Sequence, residues 1–339
     1  MVALSGNKNM AVALCLWLAA VSFISHRTSA ELRRFEQPTR GDGTLRFLVV
    51  GDWGRKGEFN QSRVAFQMGR IEKELDIDFV VSTGDNFYDN GLEGETDPAF
   101  LDSFTNIILP RAFKNSGLVN FIRAVLGNHD YRGDAVAQMS PALRKIDGRW
   151  LCLRSFVVNA EIAELFFVDT TPFVNYYYAN PENHVYDWRG VNPSKIYTSI
   201  VLRDLESALK ESRAKWKIVV GHHAIRSVGH HGDTLELVHH LLPILQANDV
   251  DFYMNGHDHC LEQISDDKSP IQFLTSGAGS KAWRGDVKNM NSERLKFFYD
   301  GQGFMSVQMT RSDVDIVFYD VFGKVLHKWT RSKQLYSDM

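Results

Sequence analysis

Five apolar runs in this chain each end in glycine followed by Asp, Asn or His. Val49-Val50 leads into Gly51-Asp52-Trp53-Gly54, and Val80-Val81-Ser82-Thr83 into Gly84-Asp85-Asn86-Phe87-Tyr88. Val125-Leu126 leads into Gly127-Asn128-His129-Asp130, Val219-Val220 into Gly221-His222-His223, and Tyr253-Met254-Asn255 into Gly256-His257-Asp258-His259. Ligand sites of open α/β sheets lie at the carboxyl ends of strands, so five such loops can converge on one crevice. Glycine lets the backbone turn sharply there and present the next side chain. In Gly-His-x-His, two imidazoles two residues apart can reach adjacent positions on one metal ion. The chain holds 12 histidines, most of them clustered, which points to metal chemistry.

The body alternates strand-like and helical segments. Strands are expected over 45–51, 78–83, 121–126, 151–158, 164–168, 216–221, 250–255 and 271–275, then 303–309, 314–319 and 324–328. Several are continuous β-branched or aromatic runs, as in strands covered on both faces. Helical periodicity fits 62–75, 135–146, 196–212 and 234–248. These make an α/β fold with one domain over 45–330, a short polar tether at 31–44 and a C-terminal tail at 331–339.

Residues 1–30 combine a polar start, an apolar run of 14 residues (11–24) and small residues ending at Ala30. The run is shorter than the roughly 20 residues that span a bilayer, and the segment reads as a secretory signal peptide. Its removal takes Lys8 and Arg27 away and moves the formal charge from −3 to −5. No basic excess exists to mark a nucleic-acid partner, and no later segment approaches membrane-spanning length. Cys152 and Cys260 either close one disulfide in an oxidising compartment or stay as buried thiols. Asn60-Gln61-Ser62 is a glycosylation sequon.

The five strand ends, in this order, resemble the metallophosphoesterase superfamily. Tyr88 in Gly-Asp-Asn-Phe-Tyr narrows the likeness to purple acid phosphatases. Gly-Asp-Trp-Gly-Arg, Gly-Asn-His-Asp-Tyr-Arg-Gly-Asp and Leu-Thr-Ser-Gly-Ala-Gly-Ser-Lys are similar to its small, single-domain, plant-type and tartrate-resistant branch. The resemblance implies a four-layer α/β/β/α sandwich and a site holding two metals. Asp52, Tyr88 and His259 match ligands of Fe(3+). Asn128, His222 and His257 match ligands of a divalent Zn(2+), Mn(2+) or Fe(2+), and Asp85 matches the bridging carboxylate. Phenolate and carboxylate suit hard ferric iron, whereas imidazole and a neutral carboxamide suit the divalent ion. Two such ions clamp a phosphate and lower the pKa of bound water. His129 matches a substrate-phosphate histidine; His231, or its neighbour His230, matches the general acid.

The expected protein is thus a secreted acid phosphatase, extracellular or vacuolar, that hydrolyses phosphate monoesters with a metal-bound hydroxide. It is expected to act as a monomer on small phosphorylated substrates, with no nucleic acid and no membrane after signal removal. The alternatives are a metallophosphodiesterase or nucleotide pyrophosphatase, and a peroxidase-like redox role of a diiron form. Asp130 and Asp258 read as groups that orient neighbouring ligands, and Trp53 as packing. His184, His239, His240 and His327 read as ordinary surface or boundary histidines, Arg132 as a solvated loop residue, and Tyr176-Tyr177-Tyr178 as packing or surface.

Overall fold

The computed structural model describes residues 32–108, 121–265, 269–288 and 293–334. The segment read as a signal peptide lies outside them. Two sheets stack face to face. The first has seven strands: β2 (Leu45–Val50), β3 (Phe79–Ser82), β4 (Phe121–Ala124) and β5 (Trp150–Cys152) run parallel. Antiparallel β13 (Gly303–Met309), β14 (Asp313–Asp320) and β15 (Val325–Ser332) extend it beyond β2.

The second sheet has eight strands, in the order β1-β6-β7-β8-β9-β11-β10-β12. They are β1 (Arg33–Glu36), β6 (Phe156–Asn159), β7 (Ala163–Phe167), β8 (Trp216–Val220), β9 (Phe252–Asn255), β10 (Leu261–Ser265), β11 (Gln272–Ser276) and β12 (Leu295–Tyr299). Four of these, β7, β8, β9 and β11, form its parallel centre.

Alternation along single strands builds the layers. Phe47 and Val49 point between the sheets, where they join Phe79, Val81, Phe167, Ile218 and Val220 in a dry core. Leu48 and Val50 point outward and pack against α1 (Gln61–Leu75) through Val64, Ala65, Met68 and Ile71. On the far side Phe166, Val219 and Tyr253 meet Val201, Leu205 and Leu209 of α6 (Ser194–Glu211). Both faces of each sheet are therefore apolar, which is why the strands read as unbroken runs. The expected four-layer α/β/β/α sandwich is the observed one.

Local expectations fail where a polar signal was passed over. The single strand expected over 151–158 is two, β5 and β6, in different sheets; Leu153-Arg154-Ser155 carries the chain between them. The helix expected over 135–146 breaks into α3 (Ala135–Gln138) and α4 (Pro141–Ile146), because Ser140 caps Pro141 and accepts from the Ala142 N–H. The helix over 234–248 divides at Leu241, ahead of Pro243, into α7 (Leu235–His240) and α8 (Leu242–Ala247). The stretch read as a tether is tied down, since β1 pairs in parallel with β6. Cys152 and Cys260 are both free and buried, so no disulfide joins them.

Candidate metal centre

The five Gly-ended runs finish on one edge of the sandwich. β2, β3 and β4 supply Asp52, Asp85, Tyr88 and Asn128 from one sheet; β8 and β9 supply His222, His257 and His259 from the other. Sharp turning at glycine is not the main reason for the Gly pattern. Gly84 alone of the five has a positive φ, 96°. The others are needed for close approach: a Cβ on Gly127 would stand 2.2 Å from Asp85 Oδ1, and one on Gly256 2.3 Å from Asp52 Oδ2. The left-handed backbone falls instead on the side chains presented, Asp52 (φ 60°), Asp85 (φ 50°) and His257 (φ 69°). Such conformations disfavour residues with a Cβ and persist where the surroundings impose them, commonly at functional sites.

The seven expected ligands are all buried and form two groups. In the first, Tyr88 Oη lies 2.9 Å from Asp52 Oδ1, 2.9 Å from Asp85 Oδ2 and 3.1 Å from His259 Nε2. In the second, His222 Nε2 lies 3.1 Å from Asn128 Oδ1, 3.2 Å from His257 Nδ1 and 3.5 Å from Asp85 Oδ1. Asp85 thus turns one oxygen to each group. Thr83 O lies 2.9 Å from His222 Nδ1 and accepts its N–H, which leaves Nε2 bare toward the centre.

The electrostatics call for cations. Burial, then the neighbouring Asp85 charge, pushes the Asp52 carboxyl well up. Burial likewise raises the Tyr88 phenol, with Asp52 and Asp85 adding to it. Burial pushes Asp85 up too, but His222, His129 and the His129 N–H outweigh it and hold this carboxyl below its ordinary value. Burial lowers His257 well below the usual imidazole range and His259 to about 3. Ionised carboxylates and phenolate beside bare imidazole nitrogens are the state that bound metal ions favour. The oxygen-rich and nitrogen-rich groups fit the two kinds of ion that the sequence implied.

His223 lies near His222 and His257, but both its ring nitrogens are engaged. Nδ1 is 3.1 Å from Thr170 Oγ1 and Nε2 is 2.9 Å from Tyr177 Oη. It therefore packs beside the centre, and Thr170 also accepts the His222 and His223 N–H groups. Asp130 does more than orient one neighbour. Its carboxylate accepts from the N–H groups of Asn86, Phe87 and Gly127 and from the side-chain amides of Asn86 and Gln138. It thereby ties the loop after β3 to the loop after β4.

Above the centre opens a cavity of about 950 Å³, lined among others by His129, His231, Arg132 and Trp283. His129 Nε2 lies 3.9 Å from Asp85 Oδ2. The His231 ring lies nearly parallel to that of His257, with centroids 3.9 Å apart. His230 does not join them: its Nδ1 sits 2.6 Å from Asp286 Oδ2, in a separate surface hollow.

One reading of the surroundings changes, that of Arg132 as a solvated loop residue. Arg132 is half-buried, faces the cavity and contacts His129 Nδ1 at 3.1 Å. Tyr176 and Tyr177 line the wall, and His184, His239 and His240 stand around its outer end. Arg55 lies over the Tyr88 ring at 3.7 Å, and Trp283 stacks on His259 at 4.1 Å. Arg55 ends the Gly-Asp-Trp-Gly-Arg motif that bears Asp52, whereas Trp283 carried no sequence signal and comes from a loop that no ligand spacing marks.

The calcineurin-like phosphoesterase profile matches residues 45–261. Purple acid phosphatase 17 of Arabidopsis thaliana is 59% identical over 98% of this chain and 96% of its own length. Tartrate-resistant acid phosphatase type 5 of Rattus norvegicus is 31% identical over 84% of this chain and 89% of its own. Among solved structures, Plasmodium GAP50, the anchor in the inner membrane complex, shares 25% identity with a TM-score of 0.69, covering 87% of this chain and 90% of its own. Purple acid phosphatase PPD1 from yellow lupin seeds shares the fold at 17% identity and a TM-score of 0.58, covering 85% of this chain and 54% of its own.

Proposed function

Because this chain belongs to the purple acid phosphatases of the calcineurin-like phosphoesterases, we propose that it hydrolyses phosphate monoesters at a binuclear Fe(3+)–M(2+) centre. Phosphoric monoester hydrolysis is the activity of its close relatives. The observation that carries the two-metal reading is Asp85, which turns Oδ2 to the Tyr88 group and Oδ1 to the His222 group. Asp52, Tyr88 and His259 would hold the ferric ion; Asn128, His222 and His257 would hold Zn(2+), Mn(2+) or Fe(2+). When bound, the pair supplies Lewis acidity, acidifying a water and neutralising the charge of the phosphate.

The chain's own groups do the rest. His129, 3.9 Å from Asp85 Oδ2, receives the non-bridging phosphate oxygens. His231 gives a proton to the leaving alkoxide as the ester P–O bond breaks and the new bond from water oxygen to phosphorus forms. The leaving group then extends toward the outer cavity. No helix among the described residues is long and apolar enough to cross a membrane. With residues 1–30 removed as a signal peptide, the enzyme works outside the cytoplasm or in the vacuole.

Two results test the assignment. Purified protein should be purple, through charge transfer from the Tyr88 phenolate to ferric iron. Tyr88→Phe should lose that visible band, and a metal-loaded but colourless parent would refute the iron assignment. His231→Ala should lower kcat by roughly 10²–10⁴, the usual contribution of a positioned acid, with metal content intact. His230→Ala should stay near the parent rate. The opposite pattern would move the acid to His230.

A further inference from the structure

The cavity extends well past the residues that would hold metals and phosphate, and His184, His239 and His240 line its outer end. At about 950 Å³ it has the size of sites that enclose a drug-sized ligand. Arg132 stands where inner and outer parts meet. Its Nε is buried without a hydrogen-bond partner. It lies close enough to His184 to hold that imidazole's pKa down, after burial. Across the opening α7 presents His239 and His240, both exposed, and neither side chain has a hydrogen-bond partner among the described residues.

Two acids share this rim, and both are engaged. Asp233 pairs with Arg226 at 2.6 Å and accepts the Ser227 N–H. Glu236 accepts the Asn175 N–H at 2.9 Å, joining the two rim segments. The remaining titratable neighbours, Tyr176 and Tyr186, are phenols. Arg132 Nε and the three imidazoles are thus the donors left without a hydrogen-bond partner at this rim among the described residues.

We infer that Arg132, His184, His239 and His240 form an outer anion subsite that binds a second phosphate group carried on the leaving portion of the substrate. The preferred substrates are therefore small molecules bearing two or more phosphates, of which one is hydrolysed while another is held at the rim. This rests on the phosphomonoesterase reading, and the test keeps the two apart.

Hexyl phosphate and hexane-1,6-diol bisphosphate differ only in the second phosphate. The parent enzyme should favour the bisphosphate in kcat/KM by more than the factor of about two expected for two equivalent esters. In the triple variant His184→Ala/His239→Ala/His240→Ala, KM for the bisphosphate should rise about tenfold, in line with losing several solvent-facing contacts to a charged group. Hexyl phosphate turnover should stay at the parent value. Equal losses on both substrates, or no change on either, would overturn the subsite. Weakened inhibition by inorganic phosphate with the bisphosphate preference retained would make it a free-phosphate site, and the substrate assignment would fail. A parent enzyme that leaves hexyl phosphate intact would instead refute the phosphatase reading itself.

Discussion

Asp85→Ala is expected to abolish hydrolysis and to remove both metal equivalents together. One oxygen of Asp85 lies 2.9 Å from Tyr88 Oη and the other 3.5 Å from His222 Nε2, so a single truncation strips a donor from each group. Asp85 Oδ1 also accepts the His129 N–H at 2.8 Å, which orients the residue expected to receive the phosphate. Removing a partner that only supports a ligand typically lowers metal affinity or activity by about 10- to 100-fold; losing a shared ligand should exceed that. Elemental analysis of the purified variant, together with monoester turnover, reads both effects. Retention of one full metal equivalent would show that Asp85 serves only one ion.

Asp130→Ala should have the largest effect on stability of any single change near the centre. Five buried donors converge on this carboxylate, from Asn86, Phe87, Gly127 and Gln138. Each donor left without a partner is unfavourable by roughly 1–3 kcal/mol. Relaxation and entering water will satisfy some, so a loss of about 3–5 kcal/mol is expected from the two or three donors left unpaired. The consequence for chemistry is indirect. The loops bearing Asp85, Tyr88 and Asn128 would no longer be braced against one another, so metal affinity should fall alongside Tm. Asp130→Asn, which keeps an acceptor, should fall between parent and alanine. A parent-like Tm and metal affinity in Asp130→Ala would mean that the brace lies elsewhere.

Asp52, Asp85, Asn128, His222 and His257 were legible from spacing, because each directly follows the glycine that ends an apolar run, and His259 from Gly-His-x-His, whereas Tyr88 came from the family resemblance. That spacing reports backbone topology, and topology is what gathers them. The surrounding groups were not legible, because they reach the cavity from stretches with no periodicity. Tyr176, His184 and His239 look like surface residues until the segment after β7 and helix α7 are seen to flank one opening.

Three strands were missed, β1, β10 and β12, of which only β10 is buried and polar. β10 contains Glu262 and Gln263, which in isolation argue against a core strand. Here Glu262 accepts the Val228 N–H at 2.8 Å and Gln263 bonds Gln272 and His327. β1, with the sequence Arg-Arg-Phe-Glu, escaped notice because an edge strand tolerates charge. His230 and His231 are adjacent in one loop, and only the fold shows that they border different hollows.

The seam between the two sheets has a consequence for the order of events during biosynthesis. Asp52 and His259 stand at opposite ends of most of the catalytic domain, yet both reach Tyr88 Oη. Bringing such distant segments together carries a loop-closure entropy that must be met before their contacts form. An unfolded or half-folded chain therefore holds no more than fragments of the proposed centre, and metal capture follows the docking of one sheet on the other. Ions that bind only the closed sandwich then stabilise it by mass action. With no disulfide between Cys152 and Cys260, that non-covalent lock is available to hold the folded protein shut without any oxidative step.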